Sequence, residues 1–130
     1  MSHTILQPAA WARPRGYANG VAAEGRQVFV SGQIGWDAEQ RIVSDDFAAQ
    51  TRQALANIVA VLACAGAVPA HLVRLTWYVT SREEYNASLG EIGVIYRELI
   101  GRHFPAMSVV VVAALLEPRA KVEIEATAVV

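Results

Sequence analysis

Val109 to Leu116 is an unbroken apolar run. In an extended chain, successive side chains leave by opposite faces. Val109, Val111, Ala113 and Leu115 therefore share one face, and Val110, Val112, Ala114 and Leu116 share the other. A strand that is apolar on both faces has to be covered on both. What the rest of the chain can offer as cover then decides the architecture.

The chain offers two helices. Ser44-Asp45-Asp46-Phe47 is a helix start, with Ser44 as the expected cap and two acids at the positive end of the dipole. Phe47, Thr51, Leu55, Ile58 and Leu62 then fall on one stripe. Gly66 and Pro69 end that helix. Ser81 and Glu84 have capping-box spacing for a second helix, with Tyr85, Leu89, Ile92, Tyr96 and Leu99 as its stripe and Gly101 as its end. Gly90 and Gly93 lie inside it, where glycine disfavours helix by roughly 1 kcal/mol relative to alanine, so close packing or a ligand approach is expected there.

Strands fill the intervals. Arg26 to Gln33 is rich in β-formers. In Leu72 to Val79, the apolar Val73, Leu75, Trp77 and Val79 alternate with Arg74, Thr76 and Tyr78, which is strand periodicity. Ser108 to Leu115 and Lys121 to Val129 complete the set. Residues 1–19 read as an arm and a loop. The order β-β-α-β-α-β-β predicts an α+β fold in one domain, residues 1–130, with a mixed sheet and both helices packed on one face. Two helices cover one face only, so a second copy of the chain is expected on the other.

The bulk properties narrow the function. The chain has 130 residues and a net charge of -1, which gives no electrostatic reason to expect nucleic acid or an anionic membrane as partner. Its longest apolar run is far below the ~20 residues that span a bilayer. The single cysteine, Cys64, precludes an internal disulfide and suits a reducing, cytoplasmic setting. Cys64 is expected to pack as a small hydrophobe. His3, His71 and His103 are not at metal-ligand spacing, and no nucleotide or dinucleotide motif is present, so no metal or cofactor is expected. His103 is expected to sit at the negative end of the second helix.

Several segments, taken in order, resemble a known family. They are Ser31-Gly32-Gln33-Ile34-Gly35, Ala54 to Ile58, Ala65-Gly66-Ala67, Trp77-Tyr78-Val79, Ile95-Tyr96, Phe104-Pro105-Ala106-Met107 and Val122 to Ala126. Together they are similar to the Rid (reactive intermediate deaminase) family, of RidA type. The resemblance implies a chorismate-mutase-like α+β fold and a homotrimer with ligand clefts between subunits. It also implies an activity: water attacks the C=N carbon of a small imine or enamine tautomer and releases ammonia. An alternative is a non-catalytic trimer that binds a small metabolite or a protein partner in the same cleft. The ribonuclease activity attributed to some members finds no support in the charge balance.

The resemblance also assigns residues. Tyr17 matches the tyrosine that lines the cleft, Ser31 and Gly32 match the backbone that borders it, and Glu123 matches the glutamate that positions water or moves a proton. Read without the family, Tyr17 is a packed loop aromatic, and Glu123 is an outward charge on an alternating strand beside Glu125. Three positions depart from the pattern. Met107 stands where members carry an arginine that grips a carboxylate, Gly93 where many carry asparagine, and Val109 where many carry cysteine. A thioether cannot make the paired charge-assisted bonds of a guanidinium. Arg15 or Arg13, in the loop before Tyr17, is the expected substitute, and the alternative for both is a solvated basic loop.

Overall fold

A computed structural model describes residues 3–130. The first strand, β1 (Thr4–Leu6), pairs antiparallel with β2 (Gly20–Ala22) as a small separate ribbon. This corrects the expectation that residues 1–19 are only an arm and loop. After β3 (Gln27–Ile34) comes α1 (Phe47–Cys64), a short 3₁₀ turn (Pro69–His71) and β4 (Leu72–Val79). Two further helices, α2 (Arg82–Ala87) and α3 (Leu89–Leu99), precede β5 (Ala106–Val111) and β6 (Val122–Val129). The main sheet has the order β3-β6-β4-β5, with β4 and β5 parallel and the other pairs antiparallel. It is the mixed α+β sheet that the element order implies.

The first helix buries the stripe read from its sequence: Phe47, Thr51, Leu55, Ile58 and Leu62 are all buried. Its cap differs. Asp46, in extended conformation, accepts the Ala49 N–H at 2.9 Å, while Ser44 Oγ accepts from the N–H of Asp46. Both residue types can cap, and the chain enters the helix two residues later than the serine suggests.

The second helix is broken. Ser88 takes φ −102° and ψ 4°, ending α2 and preceding α3. The stripe shifts with the break, so Leu89 is 51% exposed while Ile92, Ile95 and Tyr96 are buried. Ser81 caps α2 by accepting the Glu84 N–H, but the Glu84 carboxylate does not complete the box. It accepts a 2.8 Å bond from Lys121 Nζ, and that bond raises the lysine pKa. No atom lies within 4 Å of where a Cβ would sit on Gly90 or Gly93, so close packing within the protomer is not what places them.

One face of the sheet packs on the helices. Leu75, Trp77, Val79, Val122, Ile124 and Ala126 join Leu55, Ile58, Leu62, Ile92 and Tyr96 in one core. Each fully buried Leu or Ile contributes roughly 1.5–3 kcal/mol relative to exposure. Gln50 and Thr51 are the buried polar residues of α1, and Gln50 reaches furthest. It is fully buried, its Nε2 donates to the carbonyls of Ser44 and Arg119, and its Oε1 accepts from the Lys121 N–H. The glutamine thereby ties the helix start to the loop before β6.

The other face is open. Glu123, Glu125 and Thr127 on β6 alternate with buried residues, as do Thr76 and Tyr78 on β4. Phe29 beside them is 71% exposed. The strand β5 ends at Val111, so Ala113 to Leu116 lie outside the sheet, and Leu116 is fully exposed. The uncovered face is therefore more polar than the apolar run alone suggests, because β4 and β6 turn their polar residues toward it. Its apolar part is Phe29 with Val110, which is in register with Tyr78. Cys64 is exposed rather than packed. His103 lies past α3, with Nε2 2.7 Å from the Leu72 carbonyl oxygen, so its position answers to β4 and not to a helix end. Among the described residues no helix is long and apolar enough to cross a membrane.

Candidate functional site

The candidate residues fall into two halves on opposite faces of the sheet. The first half forms at a bulge in β3. Val30 pairs with Ala126 and Gln33 pairs with Ile124, so Ser31 and Gly32 both stand opposite Glu125. An extra residue of this kind bends a strand and re-aims its side chains. Here it brings the Gly32 backbone under the Glu123 side chain. A Cβ on residue 32 would lie 2.7 Å from Glu123 Cδ and press on Oε2. Only glycine leaves room for the carboxylate in this position.

The two acids of β6 differ in engagement. The Tyr78 hydroxyl donates to Glu125 at 2.7 Å, and this bond raises the tyrosine pKa. The Glu123 carboxylate accepts no hydrogen bond and forms no ion pair among the described residues. It is a half-buried carboxylate with free acceptor sites beside exposed main chain, which can hold a water and take its proton. Ser31 and Glu125, with Phe29, Arg74 and Thr127, border an open hollow of about 390 Å³ on the same face.

The second half lies toward the helices. Met107 is in register with Leu75, whose side chain enters the core, and Met107 packs against that core. It lines a cavity of about 260 Å³ between β4, β5 and the helices α2 and α3. Trp77, Tyr85, Ile92, Tyr96 and Phe104 supply most of the wall, and Gly93 and Arg15 also border it. Tyr85 meets Trp77 edge-on with ring centroids 6.4 Å apart, and Tyr96 stacks on Phe104 at 5.5 Å. The Tyr96 hydroxyl donates to the His103 carbonyl at 2.6 Å, and burial pushes its pKa well up.

Tyr17 stands next to this cavity. It is 41% exposed and borders an adjoining hollow of about 460 Å³ with Arg13, Arg102 and His103. Phe104 borders both spaces. Local pairing holds the loop there: the Ala18 N–H donates to the Pro105 carbonyl at 2.9 Å, and Ala18 bridges Ala106 in parallel. That bridge sets Arg13, Arg15 and Tyr17 beside the start of β5. Arg15, Gly93 and Met107 thus share one cavity, Gly32, Ser31 and Glu123 share one bulge, and Tyr17 with Arg13 flanks the first. Sequence reading missed Arg97, Tyr85 and Phe104 as cavity walls. No spacing rule exposes them, because the break at Ser88 and the loop before β5 decide where they point. Among the described residues, no group of three or more His, Cys, Asp or Glu is placed to hold a metal ion.

A mixed four-stranded sheet, helices on one face and a bulge whose glycine leaves room for a glutamate define the class to which the chain's relatives also point. A family profile described as endoribonuclease L-PSP matches residues 7–130. The chain belongs to this family, the Rid family. A 2-iminobutanoate/2-iminopropanoate deaminase of Salmonella typhimurium is 36% identical over 132 residues, covering 99% of this chain and 98% of the relative. Protein DfrA of Myxococcus xanthus is 40% identical over 111 residues, covering 81% and 77%. The crystal structure of YyfB from Yersinia pestis, a Rid-family protein of unknown function, superposes with a TM-score of 0.86 at 37% identity, covering 100% of both chains. Relatives named as imine deaminases at this identity support a RidA-like family function.

Proposed function

We propose that the protein is an enamine/imine deaminase whose working clefts form between the copies of a homotrimer. The observation that carries this reading is the Glu123 carboxylate, free of other partners and seated on the Gly32 main chain. In the reaction, Glu123 takes a proton from water as the water oxygen bonds to the C=N carbon, and hands that proton to the imine nitrogen, which restores the carboxylate. The carbinolamine then collapses. Its hydroxyl proton passes through Glu123 to nitrogen, the C–N bond breaks, and ammonia leaves a carbonyl product.

Placement supports a cleft shared between copies. Glu123 lies on the open face and Met107 on the helix face of the same sheet, so no single protomer brings both to one substrate. A cleft that uses both needs the open face of one copy and the β5 edge of the next. Tyr17 and the Ser31–Gly32 backbone line it, and Arg15 supplies the charge that Met107 lacks. The endoribonuclease wording of the family profile is not carried to this chain, since its net charge of -1 gives RNA no electrostatic footing.

The test is a coupled assay in which an amino-acid oxidase or dehydratase generates 2-iminobutanoate and a trapping reagent reports the imine. The protein is expected to shorten imine lifetime, and Glu123→Gln to lower that rate by about 10²-fold or more. No acceleration by the wild-type protein, with 2-iminobutanoate or with a bulkier 2-imino acid, overturns the deaminase reading. Binding of 2-oxobutanoate without acceleration favours the second reading, a non-catalytic trimer that binds a small metabolite or protein partner. Met107 in place of a carboxylate-gripping arginine is what gives that reading weight.

A further inference from the structure

The Met107 cavity is furnished for a different guest than a two-carbon side chain. Its wall is aromatic and aliphatic: Trp77, Tyr85, Ile92, Tyr96, Phe104 and Met107. Its volume is about 260 Å³. An apolar cavity of ~150 Å³ takes up benzene, so this one has room for a phenyl ring and the short acid chain attached to it. The flexible Met107 thioether, of a kind that meets aromatic rings favourably at their edges, lines the same wall.

Charge specifies the polar end. Arg15 and Arg97, both exposed, border the cavity, and neither makes an ion pair among the described residues. Two free guanidinium groups beside an apolar cavity suit an anion with an apolar tail.

From these features we infer that this cavity is a specificity pocket for an aromatic or similarly bulky 2-oxo or 2-imino acid. The ring enters beside Met107 and Tyr85, and the carboxylate is held by Arg15 and Arg97. The inference rests on the deaminase reading only for the word imino; the binding itself does not require turnover. The wall groups act by shape and desolvation, and the arginines by charge.

The test is calorimetric titration of the purified, assembled full chain with three probes: phenylpyruvate, 2-oxobutanoate and 2-phenylethanol. Phenylpyruvate is expected to bind about tenfold or more tighter than 2-oxobutanoate, because the ring is buried. It is also expected to bind about tenfold or more tighter than 2-phenylethanol, because only the acid engages the arginines. Gly93→Leu adds a side chain on the cavity wall at a position where a Cβ meets nothing and where leucine favours helix over glycine. It is expected to weaken phenylpyruvate about tenfold and to leave 2-oxobutanoate unchanged. Arg97→Gln, at an exposed position, is expected to weaken phenylpyruvate and leave 2-phenylethanol unchanged. Equal affinities for phenylpyruvate and 2-oxobutanoate, or indifference of phenylpyruvate to both variants, overturns the pocket assignment even if 2-iminobutanoate is hydrolysed. Selective phenylpyruvate binding without imine hydrolysis upholds the pocket and overturns the deaminase reading instead.

Discussion

Two glycines three positions apart are expected to fail in opposite ways when a methyl group is added. At Gly35 the new Cβ would lie 2.6 Å from Gln50 Cα, the backbone of a buried helix that cannot retreat. Gly35→Ala should therefore cost about 1–3 kcal/mol of stability, as overpacking does. At Gly32 the new Cβ meets the flexible Glu123 side chain, which can swing away. Gly32→Ala should unfold near the wild-type denaturant midpoint but lose about 10-fold or more in imine hydrolysis. Denaturation curves beside the coupled assay read both outcomes. If Gly32→Ala keeps full activity, the position of the carboxylate is not what the chemistry needs.

At the scale of elements, α3 holds a residue whose ionisation the fold resists. Burial keeps Tyr96 neutral and raises its pKa above the ordinary 10.0. A raised folded-state value means that the associated stability is complete below pH 10 and is lost as the pH climbs from there. Tyr96→Phe should cost about 1 kcal/mol near neutrality, for the bond to the His103 carbonyl. Above pH 10 it should lose stability more gently than the wild type. Tyr78, Tyr85 and Lys121 are shifted in the same direction and remain in the variant, so the slope should fall without vanishing. Denaturation at pH 8 to 11 reads it, and identical slopes would contradict the role of Tyr96.

Elements were also where the sequence was most legible, and the reason is periodicity. The stripe from Phe47 to Leu62 and the alternation of Leu75, Trp77 and Val79 each declare a buried side, and the structure buries those sides; at the start of β4 a register shift buries Leu72 and leaves Val73 half-buried. Legibility ended where a neighbour decides. Ser88 breaks the second helix with no proline or glycine at that position, so Leu89 leaves the stripe. The short β1–β2 ribbon has too few residues to show a period. Of the candidate site, the resemblance pointed to Glu123 and Gly32, which do meet. Nothing in a linear spacing shows that Met107 faces the other way, since that depends on its register with Leu75.

The whole molecule leaves β5 as one of two sheet edges, with Val109, Val110 and Val111 exposed. Unpaired edges invite a partner strand or must be shielded. Because β4 and β6 turn polar residues to the open face, the case for association narrows to Phe29, Val110 and this edge. Sedimentation equilibrium should give three times the 14.0 kDa chain mass. Val110→Asp, which sets a charge on that surface, should release the single chain with its helical content kept. A wild-type protein that sediments as a single chain would remove the composite cleft.

The sheet has a further consequence through its two sides. Each protomer would lend its glutamate to one neighbour and its arene-lined hollow to the other, so no cleft belongs to any one polypeptide. A copy damaged at Glu123 and a copy damaged at Met107 would then repair each other in a mixed assembly, since wherever the right neighbours meet, one sound pocket reappears from two defective chains.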